Sequence, residues 1–371
     1  MVGDVTTPAG FVGAVVSDAW WLRASDLADQ IDKAPSKPSD SLWYKFAQGW
    51  LCLISAELTL LSRFNEIYPE GAEHGPPSDT LFKVTCRISP IEGSSLAAII
   101  FDDPEPLDSF EFCRALFPDR GYAEGPAGPD GWRTISINDG SSKPLIALRG
   151  PHAIVDLDQV WQPLVANYAV SRVLRLQRHL LFFHAGSIGI NGRGLMVTGP
   201  KNSGKTTTSM TLASRGHSFL GDEMAAVDKK SGAMFPFRRA ASIRTGPRSS
   251  RVDDQITSRS FRSEKFPDGG ERVLANIGEM FPDAAPAAAT LTSIFFLRGF
   301  AAKPAAAPFP FGVEHFHMLS PLACSMWGVP AVTRMMDLAR LAGRAKCYFL
   351  DLGKPDDTAD LIEQIVRGDT E

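Results

Sequence analysis

The sequence predicts an α/β protein with an α+β N-terminal part. Three observations carry that expectation. In the second half, apolar strand-like runs alternate with amphipathic helical patterns. Across residues 79–157, short β-branched runs are separated by turn residues. Within the second half, a glycine-rich segment at 199–206 joins a strand pattern to a helix pattern.

The chain has 371 residues, which suggests about two domains. An α+β domain is expected over 1–157, where recognition of a substrate or partner is one open role. An α/β domain is expected over 158–371. Hydrophobic residues make up 44% and charged residues 22%, enough for a sizeable core, so disorder of the whole chain is excluded. The net charge of −4 is unevenly spread. Residues 1–150 hold 12 Lys+Arg against 21 Asp+Glu, and residues 151–371 hold 26 against 21. The acidic half is a poor nucleic-acid surface. The basic half suits a phosphorylated or acidic ligand.

Cys52, Cys86, Cys113, Cys324 and Cys347 are scattered and odd in number, with no CxxC. That spacing speaks against a disulfide framework or a zinc knuckle. The uncharged stretch 5–17 follows Asp4 rather than a basic region, and 315–333 contains two His and two Pro. Neither reads as a signal peptide or a membrane span. The expectation is a soluble cytoplasmic protein with no nucleic-acid and no membrane partner.

In chain order, 34–40 reads as a linker. Residues 41–65 read as a helix, because Trp43, Phe46, Trp50, Ile54, Leu58 and Leu61 recur at helical spacing. Strands are expected at 81–89 and 96–102, a short helix at 108–117 and a Gly/Pro-rich loop at 121–131. Short strands follow at 133–138, 144–149 and 152–157. A long helix is expected over 158–180, with Val160, Leu164, Ala166, Val170, Val173, Leu174 and Leu180 on its buried face. A strand pair at 181–190 leads into a strand at 194–198 and a helix to about 215. A strand at 217–221 precedes a hairpin, 224–228 and 233–237, around Lys-Lys-Ser-Gly. Residues 240–275 lack periodicity and read as a long loop. A strand at 291–297, an irregular Ala/Pro stretch at 302–310, and helix, strand and helix at 330–343, 346–352 and 356–367 complete the chain.

The chemistry concentrates at 199–206, which matches G-x-x-x-x-G-K-[ST] without a gap. Triphosphate oxygens need several donors converging on one point. Glycines let the backbone curl so that successive N–H groups face inward, and the following helix adds its positive end. Gly199, Pro200, Lys201, Asn202, Ser203, Gly204, Lys205, Thr206 and Thr207 are therefore the expected nucleotide-binding residues. Lys205 would reach the β- and γ-phosphates, and Thr206 would offer its hydroxyl to Mg²⁺. Asp222 and Glu223 close the next apolar strand, at the edge where ligands of parallel sheets bind. One would hold the metal and the other would take a proton from an attacking hydroxyl. His184, in an apolar run before the loop strand, by itself reads as a satisfied core residue sooner than as a site.

Taken together, Phe183-His184-Ala185, residues 194–206, Arg215-Gly216-His217 and Asp222-Glu223 resemble HPr kinase/phosphorylase and its wider relatives. The likeness covers roughly 180–230 and does not reach 1–150. It implies a P-loop kinase domain of phosphoenolpyruvate-carboxykinase-like fold, with ATP and Mg²⁺ as cofactors. It implies phosphoryl transfer to a hydroxyl, serine in the family, of a peptide or small protein. By position, Asp222 and Glu223 match the family's carboxylate pair and His184 its active-site histidine. This chain has Asp-Glu where the family has Asp-Asp, and Thr206 where the family has Ser. Divergent relatives modify ribosomally made peptides. The family often forms oligomers, and self-association stays open here.

Residues 238–272 contain eight Arg and one Lys against five acids. Arg238, Arg239 and Arg244, followed by Arg248 and Arg251, are candidates to contact phosphate or an acidic substrate, since arginine binds both in a bidentate fashion. Two other readings stay open: a kinase for a small molecule, and a nucleotide-binding regulator or scaffold without transfer activity.

Overall fold

The computed structural model describes residues 40–55, 58–70, 75, 80–90, 96–102, 122–124, 131–137, 146–156, 162–244, 262–265, 271–320, 323 and 331–368. The expected helix at 108–117, most of the expected linker, Arg248, Arg251, Cys113 and Cys324 lie outside these residues. Cys52, Cys86 and Cys347 are buried free thiols.

Residues 41–65 are not one helix. They form strands β1 (Asp40–Phe46) and β2 (Gly49–Ser55), and only the end is helical, as α1 (Leu58–Ile67). Tyr44 and Phe46 are buried while Lys45 is exposed, which is the two-residue period of a strand. The chain reverses at Ala47, a non-glycine residue with φ 56°. No Asn-Gly or Asp-Gly marks that turn. The Ala47 N–H is held instead by Pro236 O at 3.0 Å, so a distant partner stabilises it.

The next elements are β3 (Lys83–Pro90), β4 (Leu96–Phe101), β5 (Tyr122–Glu124), β6 (Arg133–Ile137), β7 (Ile146–Arg149), β8 (His152–Asp156) and α2 (Gln162–Leu176). β5 lies inside the expected loop 121–131. It forms because β6 supplies a partner, with Tyr122 opposite Ile137.

The chain divides into two units. One takes Cys52–Leu61 and Val84–Arg172, and the other takes Trp43–Leu51, Ser62–Lys83 and Val173–Glu371. In the first unit the run β3-β4-β8-β7-β6-β5 is antiparallel throughout. Arg172 is fully buried there, with its guanidinium over the Phe101 ring at 4.7 Å and a bond to Gly150 O at 3.3 Å. A π face and a carbonyl make that buried cation tolerable.

The second unit contains β9 (Leu180–Phe183), β10 (Gly186–Ile190), β11 (Arg193–Thr198), α3 (Lys205–Ser214), β12 (Ser218–Gly221), β13 (Ala225–Asp228) and β14 (Ala233–Phe235). β15 (Ala241–Arg244), β16 (Arg262–Lys265), β17 (Glu271–Ala275) and α4 (Ile277–Met280) follow. β18 (Ala289–Phe300), β19 (Ala305–Phe309), α5 (Phe316–Leu319), α6 (Ala331–Ala342), β20 (Lys346–Leu352) and α7 (Pro355–Arg367) complete it.

Its large sheet is mixed, with order β12-β10-β11-β18-β14-β13-β9, and β20 pairs with both β18 and β19. The expected strand pair at 181–190 is two strands that do not pair together. β9 joins β13, and β10 joins β11 and β12. β10 is antiparallel to both neighbours, and β18 is parallel to β11 and β20. So β11, β12, β18 and β20 run the same way and end on one edge. Alternation along β11 divides the core. Leu195 and Val197 join Met210 and Leu212 of α3 and Ile362 of α7. Met196 joins Leu220, Ile294 and Leu338 on the other face.

Two further expectations are corrected. Residues 240–275 contain a three-stranded sheet, β15-β17-β16. Its strands are short and rich in Arg and Ser, so local pattern hides them. Pairing over long range, with Ala241 opposite Ala275, and burial of Ile243 and Val273 stabilise them. Residues 305–309 form β19, an edge strand on β20, where Pro308 is tolerated because an edge leaves one row of bonds unmade. The fold is thus mixed α/β, with several sheets and few helices.

α3 and α7 are clasped by charge. Arg215 donates to Asp360 Oδ1 at 2.7 Å, Glu363 Oε1 at 2.9 Å and Asp356 O at 2.9 Å, and His217 Nε2 lies 3.0 Å from Glu363. Burial works to lower the Arg215 pKa, but the hydrogen bonds it donates to Glu363 and Asp360 raise it on balance. The Arg-Gly-His segment therefore has a structural duty. Arg215→Ala should reduce unfolding free energy by about 2 kcal/mol in urea titrations. An unchanged midpoint would show that the clasp contributes nothing.

Candidate functional site

The segment 199–206 sits where the sequence pattern implies, after β11 and before α3. Three of its residues, Gly199 at φ 159°, Asn202 at φ 69° and Gly204 at φ 101°, have positive φ. Gly204 caps α3 without a side-chain hydrogen bond. A Cβ there would stand 2.5 Å from Leu352 Cδ1 as well as straining the backbone. The first N–H groups of α3 thus open towards the loop, with the helix's positive end. Lys205 is buried, and its Nζ donates to Gly199 O at 2.8 Å and Pro200 O at 3.0 Å. Burial lowers its pKa, and Glu223 and Asp222 oppose that.

Asp222 follows β12 through Gly221, where the backbone has no room for a side chain. A Cβ on Gly221 would lie 2.5 Å from Met224 O and 2.6 Å from Phe237 O. The chain can therefore turn sharply and bury the next carboxylate. Asp222 is 3% exposed, and the Thr206 hydroxyl is the hydrogen-bonding group beside its carboxylate. Burial, then the like charge of Glu223, pushes its pKa up to about 7. The Thr206 hydroxyl, Lys205 and Arg239 pull the other way without cancelling those effects.

Glu223 meets His184 because β13 and β9 pair with Ala225 opposite Phe183. His184 Nδ1 lies 3.2 Å from Glu223 O and 3.4 Å from Glu223 Oε2. The His184 side chain is 45% exposed and that of Glu223 31%. Burial alone would raise the Glu223 pKa, but Arg239, His184, Lys205 and Arg272 outweigh it and hold the carboxyl below its usual range.

Asp222, Glu223, His184, Lys205 and Thr206 are thus brought together, with Arg239 close by. Arg239 is placed by its chain neighbours, since Phe237 N bonds Leu220 O at 2.8 Å and Ala240 N bonds Ile67 O at 2.7 Å. Arg238 turns elsewhere and pairs with Glu70 at 3.0 Å. Arg244 lies on β15, opposite Arg272. Lys201 and Asn202 are exposed on the loop.

Two members of this cluster were not singled out from the sequence. Arg272 lies on β17, a strand hidden in an apparent loop. Tyr68 is buried at the end of α1. Burial raises its pKa, with Arg239 lowering and Glu223 raising it. No local signal ties a tyrosine to a carboxylate so distant in sequence.

Two surface hollows lie away from the loop, one around Met234 and Pro286 and one around Phe309 and Tyr348. Among the described residues, no three His, Cys, Asp or Glu side chains cluster as a metal site, and no helix is long and apolar enough to cross a membrane.

The strand, loop, helix and buried carboxylate belong to a mixed α/β protein. No family model matches the chain, and no curated protein matches it. Among solved structures it is similar to the HPr(Ser) kinase/phosphatase of Coxiella burnetii, with 14% identity and a TM-score of 0.27. The match covers 51% of this chain and 89% of that one. This is a distant structural relationship, and the chemistry below rests on the chain's own geometry.

The Asp222 shift has a consequence for stability. Between its ordinary value of 3.8 and about 7, the folded protein keeps a proton that the unfolded chain releases. Stability therefore falls as pH rises through that window and levels off above it. Asp222→Asn removes the effect. Between about pH 4 and about pH 8, the variant should gain roughly 2–4 kcal/mol on the wild type in urea melts. A difference independent of pH would show that this carboxyl does not titrate there.

Proposed function

We propose that the chain is an ATP-dependent, Mg²⁺-assisted kinase that transfers the γ-phosphoryl group to a hydroxyl, of serine type, on a peptide or small protein. One observation carries this reading. A buried carboxylate, Asp222, with the Thr206 hydroxyl as its nearby donor and Lys205 acting on it, stands at the mouth of the loop 199–206. A buried carboxylate is costly unless a cation or donor satisfies it. Its position suits a cation held between protein and phosphates, with Thr206, Asp222 and Glu223 as the residues to hold it. Mg²⁺ would supply charge neutralisation on the phosphate oxygens.

The remaining roles follow from the side chains. The backbone N–H groups of the loop, all but Pro200 from 199 to 207, hold the phosphates. Lys205 exchanges the Gly199 and Pro200 carbonyls for phosphate oxygens and offsets the charge that develops there. His184 Nδ1 faces two acceptors, the Glu223 carbonyl and carboxylate, so Nδ1 carries the hydrogen. In the neutral ring, Nε2 then holds a free lone pair. The acceptor oxygen forms a bond to the γ-phosphorus, and the bond from that phosphorus to the β–γ bridging oxygen breaks, releasing ADP. The acceptor's proton passes to His184 Nε2. Glu223, kept ionised by Arg239, stabilises the imidazolium. The exposure of His184 and Glu223 favours an acceptor presented on a larger molecule over an enclosed metabolite.

Lys205→Ala should abolish transfer of labelled γ-phosphate to peptide acceptors. His184→Asn should slow turnover by about 10²–10⁴-fold with nucleotide affinity little changed. Normal transfer by both variants would refute the assignment. Because Asp222 must ionise to hold a cation, kcat/KM should rise with pH through about 7 and flatten above. A flat profile across that range would remove Asp222 from the mechanism.

A further inference from the structure

The edge that carries the loop has another exposed feature, which phosphoryl transfer leaves unused. Phe300 closes β18 and is 73% exposed, although Ile294, Phe295, Phe296 and Leu297 of the same strand are buried. Its ring atoms Cε1 and Cζ lie 3.7 Å from the point where a Cβ on Gly204 would stand, and Leu352 Cδ1 lies 2.5 Å from the same point. Phe300, Leu352 and the start of α3 thus share one apolar corner. The position is anchored. Phe300 is in register with Leu352, and Ala301 N donates to Leu352 O at 2.7 Å. Nearby Arg298 is already engaged, paired with Asp351 and lying over the Phe349 ring.

Sheet order decides which end of a ligand meets this corner. β11 lies between β10 and β18, and β12 pairs with the far side of β10. Asp222, after β12, is therefore on one side of the loop strand, and Phe300, at the end of β18, is on the other. If the carboxylates take the γ-phosphate end, the rest of the nucleotide extends towards β18. We infer that Phe300 is a stacking platform for the nucleobase, with Leu352 supporting the ring. An aromatic face offers area and polarisability to a flat base without reading its hydrogen-bond edge. It would favour a nucleoside triphosphate over bare polyphosphate rather than one base over another. This inference rests on the nucleotide-binding reading above.

The test compares ATP with inorganic tripolyphosphate, each with Mg²⁺, by titration calorimetry on the full chain. Phe300→Leu keeps apolar contact with Leu352 but removes the flat ring. It should weaken ATP about tenfold and leave tripolyphosphate unchanged, and Phe300→Trp should restore ATP binding. Unchanged ATP affinity in Phe300→Leu would overturn the platform. Equal weakening of both ligands would overturn it too, placing the effect on the loop rather than the base. If the wild type binds neither ligand, the nucleotide reading itself fails, and the platform falls with it.

Discussion

Burial of the Asp222 carboxylate beside the start of α3 is the constraint around which the second unit is arranged. An ionised carboxyl loses its hydration there, and the Thr206 hydroxyl, Lys205 and Arg239 do not make up for that loss. The fold can hold it only because its surroundings are rigid. Gly221 lets two backbone carbonyls approach to distances that no other residue would allow. Ser187 Oγ donates to Gly221 O at 3.3 Å, and Phe237 N bonds the carbonyl of Leu220. The short connection from β12 to β13 is thereby fixed, and with it the directions of both Asp222 and Glu223.

That rigidity separates two neighbouring carboxyls that differ by one methylene. Asp222 is driven towards neutrality, and Glu223 is held ionised by arginines from two other segments. Such divergence between adjacent groups gives the two carboxyls different protonation behaviour within one turn of chain. The free energy comes from elsewhere in the unit. The aromatic cluster of Phe46, Phe64, Tyr68 and Phe237 fastens the segment that carries Arg239. The parallel pairing of β11, β18 and β20 supports the loop from below.

The parts of the fold legible from sequence were those in which local signals agreed. The hairpin expected around Lys-Lys-Ser-Gly is β13 and β14, with Val227 opposite Met234 and Gly232 at φ 76° in its turn. α7 starts on Pro355 and stops at Gly368, with φ 85°, the usual asymmetry of helix ends. Where the signals conflicted, the wrong period won. Trp43, Phe46 and Trp50 fit a helical stripe as well as two strands, and the turn between those strands carries no turn residue. Residues 240–275 carried no period, because their strands are short and β15 finds its partner in the distant β17.

The site divides in the same way. From sequence alone, the spacing of Gly199, Gly204, Lys205 and Thr206 determined a backbone curl ahead of a helix, because glycine and the lysine at the helix start act within a few residues. The pairing of Asp222 with Glu223 was also visible there. Only the tertiary structure decided which carboxyl is buried, which nitrogen of His184 faces Glu223, that Arg239 and Arg272 serve the pair while Arg238 turns to Glu70, and that Tyr68 joins them. Those outcomes depend on desolvation and on charges brought together from distant segments. Electrostatic effects of that kind are set by distance in space, and local sequence does not encode it.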